Sequence, residues 1–274
     1  MLFRENYFRR FMCVFKRTHL YLFFTLRNVA MEWLISAIVV LMAALLKGMT
    51  GFGFALLAVP LLSLMFPIQA LIPAMTIFNL ITSVYILASI KLKVKAKYFL
   101  PMLLASFVGI PIGVYVLTYF PEKTLELAAG ISIFSISMVF LLGGNQPAPE
   151  KRREKPIIFA GFLSGLLTSS MSIGGPPIAL AMNRKGYSKE SFRKIFALVS
   201  VINAVISSVL YAIHGLFIAF SLKFVVYLLP AIFIGSKVGD VLSKKVNQLF
   251  FRKVILYVNL ALGLFIIART LVSP

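Results

Sequence analysis

The chain has 274 residues, 60% of them hydrophobic and 13% charged, with a formal net charge of +20. A mean hydropathy of +0.96 and a charged fraction about half that of a soluble domain mark an integral membrane protein. The positive residues sit in short clusters between apolar runs, as in loops facing anionic lipid, which argues against a nucleic-acid partner.

Residues 1–30 come first. Arg4, Arg9, Arg10, Lys16, Arg17 and Arg27 interrupt a series of aromatics, so no run there is long enough to cross a bilayer. A signal peptide is not expected either, because the small-residue cleavage pattern is missing. Two readings stand: an interfacial basic-aromatic segment, or an extension ahead of Met31 as the true start, the second being favoured. Cys13 is the single cysteine, so neither an intrachain disulfide nor a thiolate metal site is expected.

From Met31 on, the chain is a succession of apolar runs. Trp33–Phe66 would reach ~51 Å as one helix, too long for a bilayer. Leu71–Ile90, Tyr98–Thr118, Thr124–Leu142, Ile195–His214, Leu222–Leu242 and Phe251–Ala268 each have the length of one crossing. None alternates in polarity as barrel strands do, so the predicted fold is all-α and polytopic.

Two of the apolar stretches are interrupted by glycine about 121 residues apart. The first interruption is Lys47-Gly48-Met49-Thr50-Gly51-Phe52-Gly53-Phe54, the second Ser169-Ser170-Met171-Ser172-Ile173-Gly174-Gly175-Pro176-Pro177. Backbone released from a helix within lipid needs partners, which protein or a water-lined cavity must supply. Paired interruptions in two halves are a pointer to a transporter's binding site. Further matches follow in the same order. Asn79 and Asn203 are each the ninth residue of their apolar run, and Gly109/Gly113 correspond to Gly235/Gly239. The expected organisation is therefore an extension (1–30), a first transmembrane repeat (31–142), a basic cytoplasmic linker (143–156) and a second repeat (157–274).

Charge counting bears on topology. If each interrupted element re-enters on one side, residues 91–97, 151–155, 184–194 and 244–253 share a face, carrying four, four, five and four Lys/Arg. With residues 1–30 set aside, only Lys123, Lys223 and Arg269 remain opposite, the bias expected of a cytoplasmic face. Eight plain crossings distribute the charges more evenly. The re-entrant arrangement makes the repeats inverted, although a merely kinked spanning helix stays open for the second.

A helix restarting within the membrane presents free N–H groups and the positive end of its dipole, which suits a small anion. The candidate ligand-binding residues are Thr50, Gly51, Gly53, Ser170, Ser172, Gly174, Gly175 and Pro176, with Asn79 and Asn203 lining the same cavity. The bland alternatives are close helix packing for the glycines and interhelical hydrogen bonds for the asparagines. Lys47, Lys237 and Asp240 are candidate charge or gating residues, since intramembrane charge is costly. Lys47 either attracts an anion or snorkels, and Lys237 with Asp240 reads equally well as a self-neutralising pair. His19 and His214 form no metal motif, and no nucleophile or phosphate-loop motif occurs, so neither an enzyme nor a cofactor is expected.

At these motifs the chain resembles the sulfite exporter TauE/SafE-like permease family of bacterial membrane proteins. The likeness rests on Gly48 through Pro60, on Gly165-Leu166, on Ser172 through Pro177, and on Ser188-Lys189 and Phe192-Arg193. The Gly109/Gly113 and Gly235/Gly239 pairs add to it, and it covers about residues 32–270. The resemblance implies a multi-pass protein of the bacterial inner membrane that exports or imports sulfite, a sulfonate or a related organic acid. Phe54 stands where the family often has another glycine, which shifts the expected ligand contacts towards Ser172–Pro177. A passive anion channel and a non-transporting or lipid-handling assembly are the competing readings, and association with copies of itself stays open.

Overall fold

The computed structural model describes residues 31–92, 94–96, 99–142, 155–183, 189–217, 219–243 and 248–272. The extension 1–30 and most of the 143–156 linker lie outside the described residues. Among the described residues the regular structure is helical throughout, without a strand. In chain order the helices are α1 (Met31–Thr50), α2 (Phe54–Leu62), α3 (Ile68–Ser89), α4 (Leu100–Tyr119), α5 (Glu122–Leu142), α6 (Lys155–Met171), α7 (Gly175–Asn183), α8 (Lys189–Ile213), α9 (Ala219–Leu242) and α10 (Gln248–Val272). Six of them (α1, α3, α4, α5, α8 and α9) are long and apolar enough to cross a bilayer, and α6 and α10 contain shorter apolar stretches. The molecule is a polytopic α-helical membrane protein.

The chain divides into an N-terminal unit ending at Ile38 and a larger unit from Val39 to Pro274. In the first, the Ser36 hydroxyl donates back to Glu32 O at 2.7 Å, within the opening turns of α1.

The larger unit is held by small residues at helix crossings, the expected device where lipid removes any hydrophobic drive between helices. Extensive pairings join α4 with α6, α5 with α10 and α3 with α8. Gly161 and Gly165 of α6 face Met102 and Ser106 of α4, while Gly109 and Gly113 of α4 face Phe162, Leu166 and Ser169 of α6. The second glycine pair is used in the same way. Gly235 and Gly239 of α9 meet Leu41, Ala44 and Leu45 of α1, and a Cβ at Gly48 would lie 2.7 Å from Ser236 O. Outward faces carry large apolar side chains such as Val108 and Tyr115 of α4 and Val226 and Tyr227 of α9.

Contacts at the helix ends sort them into two groups. Gln69 donates to Leu117 O and Phe120 O, Ser221 donates to Ala70 O at 2.8 Å, and the Phe66 and Phe224 rings lie 5.3 Å apart. These gather the start of α3, the end of α4 and the start of α9. At the opposite end of α3, Lys194 Nζ donates to Ile90 O. Met102, Ile157, Ile195 and Val199 form one cluster with Val94, Phe99 and Phe192. Arg193 and Lys194, counted above among loop charges, therefore belong to the first turns of α8.

Candidate functional site

The helical register of α1 ends at Thr50 because its last turn runs into two glycines in left-handed conformation. Gly51 has φ +89° and Gly53 φ +96°, a region that side chains with a Cβ avoid. Gly51 N still donates to Lys47 O at 2.7 Å, closing the final turn. The Thr50 hydroxyl lies against Leu46 O (2.9 Å) and Phe52 O (2.6 Å) and accepts from Phe52 N, so it is consumed in shaping the bend. Gly53 then caps α2 without a side-chain acceptor. The N–H groups of Phe54, Ala55 and Leu56 thus open α2 as free donors at its positive end.

In the second half, α6 ends at Met171. Ser172 takes φ +59°, unusual for a residue with a side chain. Ser172 N donates to Thr168 O and Ile173 N to Leu167 O, an overlapping closure that turns the chain back. A Cβ at Gly174 would fall on Thr168 Oγ1 and Ser164 O, so only glycine passes there. Pro176 and Pro177 occupy the first turn of α7, where a missing N–H costs nothing.

The two bends meet. A small cavity is lined by Gly53, Phe54, Ala55 and Leu56 from one and by Ser172, Ile173, Gly175 and Pro176 from the other, with Asn79 and Phe196. Phe52 crosses between them. Its ring is 5.7 Å from Phe192 and 6.2 Å from Phe196, and its Cβ is 3.3 Å from where a Cβ on Gly175 would sit. Phe54 packs edge-on against Phe78 at 5.9 Å, which places its bulk beside the cavity rather than across it.

The polar residues separate into those at the cavity and those beside it. Asn79 lines it, and its Oδ1 and backbone O both accept from Lys47 Nζ, which also donates to Ser83 Oγ at 2.7 Å. Three N–H donors with three acceptors saturate the buried ammonium. Ser172 Oγ lies 3.5 Å from Thr76 Oγ1. Ser170 instead donates back to Leu166 O at 2.7 Å, Ser169 lies against both Gly165 O of its own helix and Ile110 O of α4, each at 2.9 Å, and both stand outside the lining. Asn203 is also elsewhere: its Oδ1 accepts from Ser106 of α4 at 2.7 Å. Thr50 and Gly51 border the bend without lining this cavity.

Lys237 is exposed on the outer face of α9. Asp240 pairs with Arg193, whose Nη2 lies 2.7 Å from its Oδ1, rather than with Lys237. The same guanidinium donates to Gly48 O at 2.7 Å, near the negative C-terminal end of α1, and its stem packs on Gly51. Arg193 thus pins the first bend to α8 and α9, a role that sequence reasoning missed. Its only signal was a charge at the head of an apolar run, within the Phe192-Arg193 motif. Tyr211 does similar work for the second bend, donating to Ser169 O at 2.6 Å.

The family model described as Sulfite exporter TauE/SafE matches residues 36–266. No curated protein and no solved structure matches the chain.

Proposed function

The chain belongs to the sulfite exporter TauE/SafE family of membrane transporters, and from that premise we propose that it carries a small anion, sulfite, a sulfonate or a related organic acid, through the cavity where the two bends meet. The observation that carries this reading is the convergence of two helix starts, α2 and α7, on one cavity with an asparagine amide beside them. Unpaired N–H groups at a helix start attract anions. The weight falls on Phe54, Ala55 and Leu56, because the two prolines of α7 remove donors from its first turn. Lys47 acts at one remove, through Asn79, whose Oδ1 it holds so that the N–H end is turned to the solute.

The repeats are read as inverted, residues 31–142 against 157–274. Crosswise packing supports this: α4 lies on α6, and α9 lies on the part of α1 beyond Leu41, through equivalent glycine pairs. Each bend then re-enters, and the basic segments face the cytoplasm from a bacterial inner membrane. Alternating access would be rocking of one repeat against the other about the shared cavity.

Reconstituted protein decides between a carrier and a passive pore. Proteoliposomes loaded with unlabelled sulfite or methanesulfonate should accumulate the labelled anion transiently by counterflow, since only a carrier exchanges bound solute. Simple equilibration without overshoot would mean a channel, and no anion flux at all would mean a non-transporting assembly.

A further inference from the structure

A second cavity adjoins the first. It is lined by Leu46, Thr50, Phe52, Gly53, Leu56, Phe140, Leu256 and Asn259, and it shares Gly53 and Leu56 with the anion cavity. The two therefore lie around the first turn of α2, within about one helical pitch, ~5 Å. Gly53 stands between them at φ +96°, a conformation that side chains rarely adopt, and a Cβ there would also come to 3.3 Å of the Leu46 side chain.

The walls of this second cavity are apolar, with two exceptions. Thr50 is spent on its own bend. Asn259 is fully buried on α10, and neither its Oδ1 nor its Nδ2 has a partner among the described residues. Ser137 of α5, the helix that pairs with α10, is likewise buried with an unpartnered hydroxyl. A buried amide with both ends unused destabilises the fold unless something arrives to meet it. An apolar chamber with one convergent polar group has the form of a ligand pocket.

We infer that Asn259 and the apolar chamber around it form a second subsite, which takes the tail of the transported anion and reads an uncharged hydrogen-bonding group on that tail. This rests on the anion cavity proposed above: the charged head sits at the start of α2, and the tail passes Gly53 towards α10. The preferred solute is then an organic anion with a short aliphatic body ending in a hydroxyl, carbonyl or amide, in preference to a bare inorganic oxyanion.

The test is a binding series on the full chain in detergent, with methanesulfonate, butanesulfonate and 4-hydroxybutanesulfonate as probes. Butanesulfonate should bind more tightly than methanesulfonate through burial of its chain. The hydroxylated compound should bind about tenfold more tightly still, the worth of one satisfied buried amide. In Asn259→Leu the order of the two longer anions should reverse, and the melting temperature of the ligand-free protein should rise as the unpaired amide is removed. Leu256→Phe, which fills the chamber without touching the amide, should narrow the gap between butanesulfonate and methanesulfonate. Wild-type protein that binds methanesulfonate yet ranks the longer anions equally overturns the subsite alone. So does an Asn259→Leu protein that melts lower and keeps the wild-type order, since Asn259 would then be a structural contact. Failure to bind any of the three removes the anion cavity as well.

Discussion

Asn79 is where the buried lysine meets the cavity wall. The ammonium of Lys47 is saturated by Asn79 O, Asn79 Oδ1 and Ser83 Oγ, so it orients the amide and does not itself reach the cavity. Asn79→Asp is nearly isosteric and still gives Lys47 an acceptor, but it sets a carboxylate oxygen at the cavity wall. Anion uptake should fall at least about tenfold through like-charge repulsion, with membrane expression unchanged; transport at the wild-type rate would remove Asn79 from the site. The lysine itself was legible in the sequence as an intramembrane charge. Its three acceptors were not, because they come from α3, one full element away.

Among the helices, close approach decides which pairs form. The α4–α6 crossing brings Gly165 to 2.8 Å of Ser106 Cα, measured from the position a Cβ would take. Gly165→Val should cost ~1–3 kcal/mol or more by overpacking and lower the melting temperature in detergent. Val108→Ala, on the outward face of α4 at 61% exposure, should leave it nearly unchanged. Equal shifts for the two variants would mean that the crossing is not held by close packing. The span boundaries were readable from apolar length alone: the predicted Leu222–Leu242 and Thr124–Leu142 differ from α9 and α5 by a few residues at their starts. Asn203 shows the limit of that reading. Its position in the run matches that of Asn79, yet its Oδ1 accepts from Ser106 of α4, a pairing that depends on which helix happens to lie opposite.

For the molecule as a whole, the proposed inverted arrangement has a direct consequence. With Cys13 replaced by serine, single cysteines at Lys95 and Glu190 should react with an impermeant thiol reagent from one side of the membrane, and one at Lys123 from the other. Labelling of all three from the same side would sink the topology. The end contacts already sort these positions: Ile90 meets Lys194 in one group, while Gln69 meets Phe120 in the other.

Composition and apolar run length were enough to establish a polytopic helical membrane protein, because the bilayer imposes a fixed span and leaves backbone no other way to satisfy itself. The glycine-rich order of both halves was enough to point to the family. Tertiary structure alone decided that the two bends share one cavity, that Arg193 takes Asp240 and Gly48 O, and that Ser169 reaches Ile110 O of α4. These outcomes depend on side chains arriving from elements 30 to 150 residues apart, and spacing along a chain carries no information about which donor will find which acceptor.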